Sequence, residues 1–128
     1  MNGAASKTIL VVDDEYAVRE VLTTFFEHEY GPHGYTVETA SDGAGALAAV
    51  QRRRPALVLL DIEMPGMNGV EALRSIRAID SRIPVIMVTG TESTRLAGDA
   101  IKGGAYSYLP KPVRLQYLEH IVATVLHQ

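Results

Sequence analysis

Hydrophobic positions fall into two kinds of segment that alternate along the chain. Residues 8–12 (TILVV), 57–60 (LVLL) and 83–88 (IPVIMV) are short, rich in β-branched side chains and free of polar alternation. That pattern suits strands of a parallel sheet covered on both faces. Residues 35–40 (YTVETA) and 105–109 (AYSYL) are weaker strand candidates. Between the runs, spacing shifts to a helical period. Val18, Val21, Leu22, Phe25 and Phe26 lie at i, i+3, i+4, i+7 and i+8 and form one apolar face. Ser41-Asp42 can cap a helix through GALAAVQRRR, and Asn68-Gly69 precede VEALRSIRAI, where Val70, Leu73, Ile76 and Ile79 share a side. A last helix over about 113–126 carries Leu115, Leu118, Val122, Val125 and Leu126. The segment 94–102 (TRLAGDAIK) is the poorest helix, with a glycine inside and few large apolar residues.

Five strands and five helices in strict alternation predict an α/β fold, a doubly wound five-stranded parallel sheet in a single domain. GPHG at 31–34 reads as a turn between the first helix and the second strand. The tail is expected at 1–6 and the domain at 7–128. The chain of 128 residues, 47% hydrophobic and 21% charged, suits one core. A net charge of −3 gives no sign of nucleic-acid or anionic-membrane affinity. Without cysteine there is no disulfide, zinc knuckle or thiol nucleophile. MNGAASK lacks the features of a signal peptide and no apolar run is long enough to span a membrane, so the expectation is a cytoplasmic protein.

In doubly wound sheets, ligands bind outside the carboxyl ends of the strands. The expected ends carry Asp13-Asp14-Glu15, Asp61, Thr89-Gly90 and Pro110-Lys111-Pro112. Taken singly, each has an ordinary explanation: a helix cap, a turn initiator, a strand threonine, a surface lysine. Together they place carboxylates, a hydroxyl and an ammonium around one crevice. Crowded carboxylates repel unless a cation intervenes, and Mg²⁺ prefers hard oxygen ligands. With an ammonium beside it, such a pocket can accept a phosphoryl group, and Asp61 is open to two roles, ligand and nucleophile.

ILVVDDE (9–15), LVLLDIEMPGMNG (57–69), PVIMVTG (84–90) and GAYSYLPKP (104–112), in this order and spacing, resemble the receiver domain of two-component response regulators. The resemblance covers about residues 7–126 and implies the flavodoxin-like receiver fold. It implies that Asp61 is the phosphoacceptor and that Asp14, Asp61 and the Glu63 backbone carbonyl hold Mg²⁺, with Asp13 acting through water. Lys111 would contact the phosphoryl group, Thr89 would be the switch hydroxyl, and Tyr108 the aromatic that follows it inward. The Lys111-Pro112 bond would be cis. Glu63 and Thr91, two residues after Asp61 and Thr89, are expected to tune the acyl-phosphate lifetime. The donor would be a sensor histidine kinase or a histidine phosphotransfer protein. The output would be a surface of the fourth helix, fifth strand and last helix (Arg95, Lys102, Tyr106, Tyr108, Arg114, Tyr117) that binds a downstream protein target.

Val113 stands where the family often has phenylalanine, and GPHG lengthens the connection after the first helix. His28 and His33 near that turn read as surface histidines rather than a metal pair. A rival reading is a Mg²⁺-dependent aspartyl-phosphate phosphohydrolase of the haloacid-dehalogenase type. That enzyme class places its nucleophile on the first strand with a second Asp two residues on, whereas here the strand is the third and the residue is Glu63. An unphosphorylated interaction module is a third reading, opposed by the joint presence of Asp14, Asp61, Thr89 and Lys111. No enzymatic turnover beyond self-catalysed phosphoryl transfer and dephosphorylation is expected. A stand-alone regulator and a receiver excised from a longer regulator or hybrid kinase fit equally.

Overall fold

The computed structural model describes residues 6–64, 66–90 and 94–126, with Thr94 described in its backbone only. Residues 1–5 of the expected tail and Thr91 lie outside the described residues. The elements run β1 (Thr8–Val12), α1 (Tyr16–Tyr30), β2 (Thr36–Ala40), α2 (Gly43–Arg52), β3 (Leu57–Asp61), α3 (Gly69–Ile79), β4 (Val85–Thr89), α4 (Thr94–Lys102), β5 (Ser107–Pro110) and α5 (Leu115–Leu126). All strand pairs are parallel, in the order β2-β1-β3-β4-β5. The expected doubly wound sheet is therefore present.

The lack of polar alternation in the strands has a direct cause. Leu10, Val12, Val58, Leu60, Val85 and Met87 point to the face covered by α2, α3 and α4, where they meet Ala46, Val50, Leu73, Ile76 and Ala100. Ile9, Val11, Leu57, Leu59, Ile86 and Val88 point the other way, onto Leu22 and Phe26 of α1 and Leu118 and Val122 of α5. Both faces of β1, β3 and β4 are buried, so both side-chain sets must be apolar.

Three boundaries differ from the sequence expectation. GPHG is a short 3-10 helix over Gly31–His33, closed by Gly34 at φ 90°. The fifth strand begins at Ser107, and α5 begins at Leu115 because residues 111–114 are spent on the turn after the cis Lys111-Pro112 bond. α4 does form, but among its described side chains the inward face offers the partly buried Leu96 with Ala97 and Ala100. Small side chains bury little apolar area, so α4 is held by less packing than its neighbours.

β1 touches β2 on one side and β3 on the other, and the chain direction of winding reverses between β1 and β3. Asp13 and Asp61 sit at the carboxyl ends of these two strands, where such sheets open a crevice. Gly69 fixes the return of the chain after Asp61: its N–H donates to the Ile62 carbonyl at 2.7 Å. A Cβ there would collide with the Asp61 carbonyl oxygen and the Ile62 Cα. Asn68 and Glu71 close a capping box around the same helix start. Gly69→Ala is expected to cost about 2–4 kcal/mol in urea unfolding. A cost near zero would show that the loop after Asp61 is free to move away.

Candidate functional site

The crevice is built from four strand ends. Asp13 follows β1, Asp61 ends β3, Thr89 ends β4, and Lys111 follows β5. Asp13, Asp61 and Thr89 are buried, at 1%, 2% and 3% exposure. The two aspartates are held alike. Asp13 Oδ1 accepts the Glu15 N–H at 2.8 Å, and Asp61 Oδ1 accepts the Glu63 N–H at 3.0 Å. Each is a local turn in which the carboxylate binds the backbone two residues on. That arrangement consumes one oxygen of each side chain and aims the other at the crevice.

Those second oxygens meet Lys111. Its Nζ lies 2.9 Å from Asp13 Oδ2 and donates to Asp61 Oδ2 at 3.2 Å. It also donates to Glu15 Oε1 at 3.3 Å. The Lys111 N–H donates to the Thr89 carbonyl at 2.7 Å, which anchors the loop carrying the ammonium to the end of β4. Asp13 Oδ2 is buried and faces Lys111 as an ion pair without a directed hydrogen bond. Arg19 donates to the Asp13 carbonyl at 2.7 Å, tying the start of α1 to the crevice.

Charge is unevenly balanced in this pocket. Burial raises the Asp61 pKa from the ordinary 3.8 to about 6, against the Glu63 N–H that lowers it; the Asp13 charge adds to the rise and Lys111 opposes it. Burial also works against the Lys111 charge, but the close pairing of the ammonium with the Asp13 carboxylate and the Asp61 and Asp13 charges outweigh it and raise the Lys111 pKa. One ammonium is thus too little to neutralise the site.

The missing charge has an obvious source. Carboxylate oxygens of Asp13, Asp14 and Glu15 converge within 4.8 Å of one another and could hold a metal ion. An all-oxygen donor set, with the under-bonded Asp13 Oδ2 beside it, suits a hard divalent cation such as Mg²⁺. Asp14 and Glu15 are exposed, which leaves room for water ligands. Neither His28 nor His33 joins a metal-ligating group among the described residues; His28 pairs with Glu29 at 3.1 Å on the surface.

Asp13, Asp61, Thr89 and Lys111 therefore come together as their strand-end positions predict. Tyr108 lies on β5 with its side chain outward, 44% exposed. Tyr106 and Tyr117 are also exposed, Arg114 stacks 5.7 Å over Tyr117, and the Tyr106 hydroxyl pairs with Thr124 Oγ1 at 2.9 Å. Sequence reasoning missed the contact of Glu15 with Lys111 and the anchor from Arg19. Both depend on how α1 leaves β1, which no local pattern reports.

Comparison with known proteins places this geometry. A family model described as the response regulator receiver domain matches residues 9–123. The response regulator MprA of Mycobacterium leprae is 41% identical over 112 residues, 86% of this chain and 46% of that protein. The regulatory protein AtoC of Escherichia coli is 38% identical over 122 residues, 95% of this chain and 26% of that protein. The chain thus spans about half or less of these curated relatives. Among solved structures, a CheY-like receiver domain protein from Methanospirillum hungatei superposes with a TM-score of 0.85 at 30% identity, covering 94% of this chain and 93% of that one. The receiver domain of NtrX from Brucella abortus gives 0.83 at 34% identity, covering 94% and 98%. The CheX–CheY–BeF3–Mg²⁺ complex from Borrelia burgdorferi gives 0.85 at 29% identity, covering 94% and 90%.

The raised Asp61 pKa fixes the sign of a pH effect. A carboxyl whose folded value exceeds its unfolded value favours the folded state only while protonated. That contribution is complete below about pH 4 and is lost as pH rises through about 6. In metal-free buffer at pH 7, Asp61→Asn is expected to stabilise the domain by roughly 1–3 kcal/mol, measured by thermal or urea unfolding. The gain should vanish by pH 4. A destabilised variant at pH 7, or a gain independent of pH, would contradict this charge balance.

Proposed function

The chain belongs to the response regulator receiver domain family, and on that premise we propose that Asp61 accepts a phosphoryl group and passes the event to a protein surface. The observation that carries the proposal is the meeting of Lys111 Nζ with Asp61 and Asp13 at 3.2 Å and 2.9 Å in a buried crevice. The family membership sets aside the haloacid-dehalogenase reading.

In the proposed reaction, a carboxylate oxygen of Asp61 attacks the phosphorus of a phosphohistidine on a sensor kinase or phosphotransfer protein. The new O–P bond forms as the P–N bond to the imidazole breaks. Lys111 already faces the Asp61 oxygen and can follow the charge onto the phosphoryl oxygens. Asp14, Asp61 and the Glu63 carbonyl would hold Mg²⁺, with Asp13 through water, and the ion supplies the positive charge that the pocket lacks. No other chemistry on a separate substrate is proposed. The chain's own side chains orient the acceptor and exclude bulk water.

The response is a shift between two arrangements. Thr89, at the end of β4, would turn its hydroxyl toward the phosphoryl oxygens. The exposed Tyr108 ring would turn inward, and the lightly packed α4 would follow. The surface of α4, β5 and α5, with Arg95, Lys102, Tyr106, Arg114 and Tyr117 at its face, would then present a changed site to a downstream protein. No helix is long and apolar enough to cross a membrane.

With acetyl phosphate and Mg²⁺, the protein is expected to gain one acid-stable, base-labile phosphoryl group, seen by intact mass. Asp61→Asn should abolish it, and Lys111→Met should slow it about 10²-fold or more. An adduct that survives Asp61→Asn would overturn the assignment, and sustained turnover of phosphate esters would favour a hydrolase. We also propose that Glu63 and Thr91 tune the lifetime of the acyl phosphate. At least one of Glu63→Ala and Thr91→Ala should change the dephosphorylation half-life; two unchanged half-lives would remove that role.

A further inference from the structure

Among the described residues Lys111 has three carboxylate partners, and they are not equivalent. Asp13 and Asp61 are buried and each is fixed by a backbone N–H. Glu15 is different. Its side chain is 62% exposed, and its carboxylate reaches Lys111 from the rim of the pocket, at 3.3 Å. As the N-cap residue of α1 it makes no side-chain capping bond, so its carboxylate is not engaged by the helix N–H groups. Among the described residues, Asp13, Asp14, Glu15 and Asp61 set four carboxylates against the ammonium of Lys111. A donor entering this mouth brings further negative charge.

We propose that Glu15 is a positioning residue that holds Lys111 back: it competes with the incoming phosphoryl group for the ammonium and selects against the more negatively charged donors. The inference rests on the reading of Asp61 as phosphoacceptor. Two consequences follow from the contact. The Glu15–Lys111 bond must open before Lys111 can serve the phosphoryl oxygens, which slows transfer from every donor. The Glu15 charge at the rim repels a dianion more than a monoanion, so the slowing grows with donor charge. Because Glu15 is exposed, added salt weakens the second effect.

Acetyl phosphate and phosphoramidate separate these effects. Near neutral pH the first is a dianion and the second carries one net negative charge. In both, Asp61 forms the O–P bond; with acetyl phosphate the P–O bond breaks and acetate leaves with the electron pair, and with phosphoramidate the P–N bond breaks and ammonia leaves. The measurement is the rate of Asp61 phosphorylation by intact mass, in the full chain, at saturating Mg²⁺, for the natural protein and Glu15→Gln. Both rates should rise in Glu15→Gln, and the acetyl phosphate rate should rise about two- to tenfold more than the phosphoramidate rate at low salt. That difference should shrink as potassium chloride is raised.

An acetyl phosphate rate that falls or stays unchanged in Glu15→Gln, or an equal change with both donors, would overturn the proposal. Thermal unfolding of the variant shows that it is folded, and the donor ratio is a quantity that a merely structural effect does not move. Absence of any Asp61 adduct in the natural protein with either donor would instead defeat the parent reading. A normal adduct with an unmoved donor ratio defeats the Glu15 role alone.

Discussion

The site depends on keeping two aspartates buried at adjacent strand ends. Asp13 and Asp61 are nearly inaccessible, yet each keeps one oxygen aimed into the crevice. Isolated buried carboxylates are costly, and the usual escape is protonation. Here Lys111 holds Asp61 back from that outcome only in part, since its pKa is still raised to about 6. The crevice is therefore short of positive charge by construction. A deficit of that sign, lined by carboxylate oxygens, suits a hard divalent cation.

The scaffold explains why the deficit is tolerated. The sheet buries both faces of β1, β3 and β4, and the two apolar clusters on either side supply the stability that the site consumes. The strands deliver their ends to one edge because the winding reverses between β1 and β3. Gly69 then lets the chain turn back tightly beneath Asp61. α4 packs on the sheet through the partly buried Leu96 and the small side chains of Ala97 and Ala100 among its described side chains.

Much of this was legible in the residues. LVLL running into Asp61, and TILVV into Asp13-Asp14, announce buried parallel strands that end in charge, and the strand order brings both ends together as that pattern requires. The cis Lys111-Pro112 bond matches what the family resemblance implies. Other features were hidden for physical reasons. Lys111 reaches Glu15 across 96 residues of sequence, a contact that no local pattern can report. GPHG is a turn by composition, and its closing into a 3-10 helix reflects the Gly34 left-handed conformation rather than any periodicity. The late start of α5 follows from the turn around Pro112, which apolar spacing cannot report.

The central claim is that Asp61 is a buried carboxylate short of a cation, and its own titration tests this most directly. Carbon-13 NMR of the labelled Asp61 carboxyl, followed against pH without metal, should give a midpoint near 6. Saturating Mg²⁺ should move that midpoint far down, because a cation favours the ionised form. A midpoint near the ordinary aspartate value of about 3.9, unmoved by Mg²⁺, would contradict the account.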